Sequence, residues 1–137
     1  MPRFVVLQHA TPPHYSRPSH CNFMHWDFML EHKGQLLTWA LSEPPAASVE
    51  IATERLSDHR LEYLQFEGPV SGDRGDVSQW DHGMFDWLSY ETNRVDVNVT
   101  GQRLRGRVVL IRTSTINSEP DPTWLFTYDP SVEQLDD

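Results

Sequence analysis

The 137 residues suit one compact domain, able to bury roughly 68% of the surface its unfolded chain exposes. Five Trp, six Phe and four Tyr exclude a disordered chain, and no apolar run of about 18 residues is present to form a transmembrane helix. Eleven basic against twenty acidic residues, a net charge of −9, argue against a broad non-specific nucleic-acid binder, but not against a small site that handles a phosphate through a metal ion.

The pattern along the chain is mostly strand. Residues 4–9 form a short β-type run. Pro12, Pro13 and Pro18 then forbid regular structure, which makes 10–20 a loop. A strand pattern resumes over 23–31, Lys33-Gly34 signals a hairpin turn, and 35–41 is the return strand, ended by Glu43-Pro44-Pro45. Residues 46–56 fit either one helical turn or an extended crossing. Residues 60–66 read as a strand ended by Gly68-Pro69, 71–76 as a polar loop, and two further strands are expected within 77–90. Val95, Val97 and Val99 alternate with Asp96, Asn98 and Thr100, the period of a half-buried strand. The next strand is 103–113, with Leu104, Gly106, Val108 and Leu110 on one face. Residues 114–122 are a loop and 123–128 the last strand, followed after Pro130 by an acidic tail that is expected to fray. The result is a mainly β fold of seven to nine short strands with little helix, in one domain over 1–130. It predicts a small closed or nearly closed β-barrel, with a sandwich as the alternative. Cys21 is alone, which rules out an internal disulfide. No apolar N-terminal stretch is long enough for a signal peptide, so a reducing cytoplasm is the expected compartment, with no membrane partner.

The segment Met24-His25-Trp26-Asp27-Phe28-Met29-Leu30-Glu31 carries the clearest chemistry. On a strand, Trp26, Phe28 and Leu30 share one apolar face, and His25, Asp27, Met29 and Glu31 the other. Side chains two apart are rooted about 6–7 Å from each other, so His25 and Asp27 can reach one metal ion from opposite sides. His9, at the end of the first strand, is a candidate third ligand, because sequential strands often pair. Two imidazoles and a carboxylate suit manganese, iron or zinc. A surface hydrogen-bonded pair is the other reading of His25 and Asp27. His14 and His20 lie in the proline-bearing loop, either capping the site or solvated, while His32 and His82 read as turn residues. In Asp58-His59-Arg60-Leu61-Glu62-Tyr63, a strand starting near His59 places His59 and Tyr63 on one face. A proton-donating His and a Tyr that hydrogen-bonds a phosphate oxygen suit phosphoester chemistry, with Asp58 orienting a neighbour; a purely structural role is the alternative.

Taken together, Phe4-Val5-Val6-Leu7-Gln8-His9, His25-Trp26-Asp27-Phe28-Met29-Leu30-Glu31, Trp39-Ala40, Asp58-His59-Arg60-Leu61-Glu62-Tyr63 and Phe66-Glu67-Gly68 resemble the 3′-phosphoesterase domain of the bacterial DNA ligase D family. That family reads approximately FVVQKH, HYDFRLE, SWA, DHPLEY and FEG. Trp80-Asp81-His82-Gly83 resembles its WDxG turn, and Leu104-Arg105-Gly106-Arg107, Arg112-Thr113 and Trp124-Leu125 its closing strands. The resemblance runs in unbroken order over residues 4–128. It implies a small β-barrel with a divalent metal, usually manganese, that trims the 3′ ends of nucleic acids. It also implies that His9, His25 and Asp27 are metal ligands and that His59 and Tyr63 act on the phosphate. The implied partners are nucleic-acid 3′ ends and end-joining repair proteins.

The chain departs from the family at several positions. Met29 stands where HYDFRLE has an Arg that holds the phosphate, and a thioether lacks that charge and those paired donors. Leu37 and Thr38 replace a common Lys-Ser pair, Leu7 replaces a Gln, and the loop between His9 and His25 is longer. The chain begins almost at the first strand, so no N-terminal arm is expected. Arg17, in the long loop, and Arg55, four residues before His59 and so of the same strand parity, are candidates for the missing phosphate-binding cation. The leading expectation is a metal-dependent 3′-phosphoesterase in DNA end repair. A catalytically degenerate metal- or nucleic-acid-end-binding module is a second. A third is a non-haem iron oxygenase of cupin type, with His25, Asp27 and His59 or His82 as ligands.

Overall fold

Short apolar runs become antiparallel strands in the computed structural model, which describes residues 2–10, 24–70, 75–113 and 123–131. Among the described residues the strands are β1 (Arg3–Ala10), β2 (Met24–His32), β3 (Gln35–Leu41), β4 (Ile51–His59), β5 (Gly68–Pro69), β6 (Asp76–Glu91), β7 (Arg94–Gly101), β8 (Arg105–Arg112) and β9 (Trp124–Pro130). They run β1-β2-β3-β4-β9-β8-β7-β6, and β6 pairs back onto β1, so the sheet closes on itself as a small β-barrel. The short β5 flanks the start of β6. Closure leaves no free edge along most of the ring, the usual solution for a sheet of this size. Around the closed ring, and among the described residues, the narrowest seam joins β4 to β9, where Ile51–Thr53 meets Trp124–Phe126.

Lys33 and Gly34 both take positive φ, 53° and 80°, which gives the β2–β3 hairpin a turn whose twist matches its strands. The region 46–56 forms no helix: the chain turns at Ser48, where φ is 60°, and enters β4 at Ile51. The region 77–90 is one continuous strand rather than two. Trp80-Asp81-His82-Gly83 therefore runs along β6 instead of turning. The glycine that suggested a turn has another cause: a Cβ on Gly83 would collide with the Thr100 carbonyl of β7.

The barrel interior is filled by Phe4, Val6, Phe28, Trp39, Leu41, Phe85, Val97, Val108, Leu110 and Phe126, among others. A second apolar cluster lies on the outer face, made by Val5, Leu7, Met29, Leu36, Leu64, Val70 and Val77. Both faces of β1–β3 are thus buried, which is why these strands read as nearly continuous apolar runs.

The cover over the outer cluster corrects one expectation. Residues 60–66 are not a strand; β4 ends at His59, and Leu61–Leu64 is a 3-10 turn. Its amides close locally, Tyr63 N–H to Arg60 O at 3.1 Å and Gln65 N–H to Glu62 O at 3.2 Å. Leu61 and Leu64 recur at a spacing of three, which a tight turn puts on one side. Leu64 is buried, with Leu61, Tyr63 and Phe66 packed beside it. Burying a Leu this way contributes about 1.5–3 kcal/mol, enough to hold the turn against the barrel. The expected proline-bearing loop, the loop 114–122 and the acidic tail lie almost entirely outside the described residues.

Candidate metal centre

A cluster of His9, His25 and Asp27 follows from the β1–β2 ladder. His9 lies opposite His25, and Leu7 opposite Asp27. Cross-strand partners share a face, so His9 and His25 come side by side, with Asp27 two residues along from His25. The His9 and His25 ring centroids are 4.7 Å apart. Asp27 Oδ1 lies 3.2 Å from His25 Nε2, and Asp27 Oδ2 lies 3.7 Å from His9 Nδ1. One donor atom from each of the three residues falls within 4.8 Å of the others.

The donor set fits a divalent transition ion. His25 and Asp27 are almost fully buried. His25 Nδ1 and Asp27 Oδ1 are buried without a hydrogen-bond partner among the described residues. Such groups cost free energy unless something satisfies them, and a cation does so for a carboxylate oxygen. Burial by itself would push the Asp27 carboxyl up. The contacts and charge of His25, and then of His9, outweigh it and lower the pKa from 3.8 to about 2. Asp27 is therefore ionised under any ordinary condition. The third residue within reach of His25 and Asp27 is His9; among the described residues neither His59 nor His82 joins the cluster, as the oxygenase reading needed.

The cluster opens into a pocket of about 60 Å³ walled by Leu7, Met29, Val70 and Val77, with His59 and Tyr63 also lining it. The His59 and Tyr63 rings meet edge to face at 5.5 Å. They come together because β4 ends at His59 and the 3-10 turn carries Tyr63 back over it, not because they alternate on one strand. His59 Nδ1 lies 2.9 Å from the Ser57 carbonyl oxygen. A carbonyl only accepts, so Nδ1 donates and Nε2 is left to accept or carry a second proton.

Arg55 is placed elsewhere. It lies opposite Trp39 on the interior side of the sheet, its guanidinium 4.7 Å from that ring, and its Nη2 is 3.3 Å from Asp58 Oδ1. Asp58 thus pairs with Arg55 rather than with a pocket group. Equal parity between Arg55 and His59 fails because β4 holds an extra residue between them. Arg17 lies outside the described residues. The apolar wall from Leu7, Val70 and Val77 leaves no signal in the sequence pattern, since it depends on how residues 60–70 fold back.

A model of the DNA ligase D 3′-phosphoesterase domain matches residues 17–112. The chain belongs to the DNA ligase D 3′-phosphoesterase domain family. The family match takes in His25, Asp27, His59 and Tyr63, while His9 precedes it and is brought in by the β1–β2 register. The chain is 38% identical over 120 residues to the multifunctional non-homologous end joining protein LigD of Mycobacterium bovis, covering 81% of this chain and 14% of that protein. It is equally similar to the LigD of Mycobacterium tuberculosis H37Rv, named as a non-homologous end joining DNA repair protein. To the LigD of Pseudomonas aeruginosa it is 34% identical over 101 residues, 66% of this chain and 12% of that one. The chain therefore spans about one seventh of the mycobacterial relatives it matches. Among the described residues, no helix is long and apolar enough to cross a membrane.

Proposed function

We propose that this 3′-phosphoesterase family member is a metal-dependent phosphoesterase acting on nucleic-acid 3′ ends, removing a terminal 3′-phosphate in DNA end repair. The observation that carries the reading is the His9-His25-Asp27 cluster, whose His9 and Asp27 line one pocket with His59 and Tyr63. His9, His25 and Asp27 would hold the ion, manganese first, with zinc or iron as alternatives. Such an ion polarises a phosphoryl oxygen and neutralises its charge. As water attacks phosphorus and the bond to the 3′ oxygen breaks, His59 in its doubly protonated form passes its Nε2 proton to the leaving oxygen, held in orientation by its Nδ1 hydrogen bond to the Ser57 carbonyl. Tyr63 donates a hydrogen bond from its hydroxyl to a phosphoryl oxygen. The apolar wall lowers the local dielectric and strengthens both interactions. The net charge of −9 disfavours long duplexes, so the substrate is an end, presented alone or by end-joining proteins.

Release of inorganic phosphate from a DNA primer-template bearing a 3′-phosphate, with manganese, tests the proposal in wild type and Asp27→Ala. Turnover that vanishes in the variant supports it. One observation favours a second reading: Met29, buried in the pocket wall, supplies no cation where a phosphate would rest. A wild type that binds manganese but releases no phosphate would establish a binding module instead.

A further inference from the structure

We infer that a β-bulge at Ser57-Asp58 is the positioning device that aims His59 into the metal pocket, and that Arg55 locks it. This rests on the catalytic reading of His59 given above. The β3–β4 ladder pairs Thr38 with Leu56 but Leu36 with His59. Two residues of β4, Ser57 and Asp58, therefore oppose the single Leu37. In an unbroken ladder Leu36 would face Asp58, and His59 would turn to the interior side with Arg55 and Trp39. The inserted residue rotates His59 onto the face of Leu36, where the outer cluster and the pocket lie. Bulges of this kind re-aim a single side chain at the cost of a local break in the ladder.

Two contacts hold the break in place. Asp58, displaced by the bulge, is caught by Arg55 Nη2 at 3.3 Å, and Arg55 is anchored over the ring of Trp39, itself buried in the interior. The Ser57 carbonyl, freed from the regular ladder, accepts the His59 Nδ1 proton at 2.9 Å. One inserted residue thus sets which face His59 occupies, its orientation and its tautomer. Arg55 and Asp58 are positioning residues that act through His59 and touch no substrate.

The test uses the full chain with one glycine inserted between Leu37 and Thr38, which gives Ser57 and Asp58 one partner each and removes the bulge, and with Arg55→Ala and Asp58→Ala as milder variants. Nuclear Overhauser contacts between the His59 and Tyr63 rings report position without reference to activity. They are expected in wild type and lost on the insertion, which turns His59 to the interior side; their persistence on the insertion overturns the inference. In phosphate release, Arg55→Ala and Asp58→Ala are expected to lower kcat by about tenfold to a hundredfold with KM and manganese affinity little changed, as for displacement of a reacting group. Asp58→Glu is expected to restore most of the loss. Added to His59→Ala, Arg55→Ala is expected to change nothing further; an independent loss overturns a role through His59. Loss of the ring contacts in a protein whose wild type releases no phosphate leaves the bulge as the device that places His59 and removes the catalytic reading instead.

Discussion

His9 and His25 face each other across the β1–β2 ladder at 4.7 Å, and the Asp27 carboxylate lies within 3.7 Å of His9 and 3.2 Å of His25. A carboxylate this buried stays ionised only because cationic or polar neighbours compensate it. Replacing it by Asn keeps the shape and removes the charge. Asp27→Asn is expected to weaken manganese binding at least about tenfold by titration calorimetry. Retained affinity would remove Asp27 from the ligand set.

The same group sets an acid limit on stability. Its pKa is about 2 in the folded chain against an ordinary 3.8. A depressed folded value means that the ionised form is bound more favourably in the native state. Its contribution is complete above about pH 4 and is lost as pH falls toward 2. Urea unfolding of metal-free protein between pH 5 and about pH 2 is expected to show wild type losing more stability than Asp27→Asn. Parallel curves would contradict the assignment.

Much of this site was legible before the fold was known, and the reason is period two. His25 and Asp27 had to share a face on any strand, and Val95, Val97 and Val99 had to line a core. What failed was whatever depends on a break in that period. Leu61, Tyr63 and Leu64 fit a spacing of two or three, and only packing on Val5 and Leu7 selects the turn. Arg55 and His59 lie four apart and count as one face, until a bulge that leaves no compositional trace separates them. Gly83 imitates a turn because close backbone approach and turning both call for glycine.

Met29 is a prediction about charge. It is buried in the pocket wall beside Leu7 and Val77. Met29→Arg introduces paired donors where a phosphate would rest, and is expected to tighten inorganic phosphate binding about tenfold. The guanidinium also displaces an apolar contact in the outer cluster, so a loss of about 1–3 kcal/mol in urea unfolding is expected alongside. Unchanged phosphate affinity in a folded variant would place the phosphate elsewhere.

Asp81 predicts a purely structural defect. Buried on β6, its Oδ1 accepts from the backbone N–H of His82 at 2.8 Å and of Gln102 at 2.7 Å; its Oδ2 accepts from Arg103 at 3.2 Å and Leu104 at 2.8 Å. One carboxylate thereby satisfies the turn between β7 and β8. Asp81→Ala strands these amides and is expected to cost about 3 kcal/mol, while manganese affinity stays unchanged. A stability loss under about 1 kcal/mol would mean that water replaces the carboxylate.

The β4–β9 seam links the barrel's stability to the site. Among the described residues Ile51–Thr53 against Trp124–Phe126 joins these strands, whereas β7 and β8 pair along their whole length. Local opening should begin where the fewest ladder bonds must break. Amides of Ala52 and Leu125 are expected to exchange with solvent at least about tenfold faster than those of Val97 and Val108. The same β4 carries Arg55, the bulge and His59 at its far end. Thr53 ties β4 back to β3 through its hydroxyl, which donates to the Ala40 carbonyl at 2.6 Å. Thr53→Val removes that tie while keeping the volume. It is expected to speed exchange across the seam and leave the His59–Tyr63 ring contact intact, because the Asp58–Arg55 pair holds that end independently. Loss of the ring contact in Thr53→Val would show that the seam, and not the bulge, positions His59.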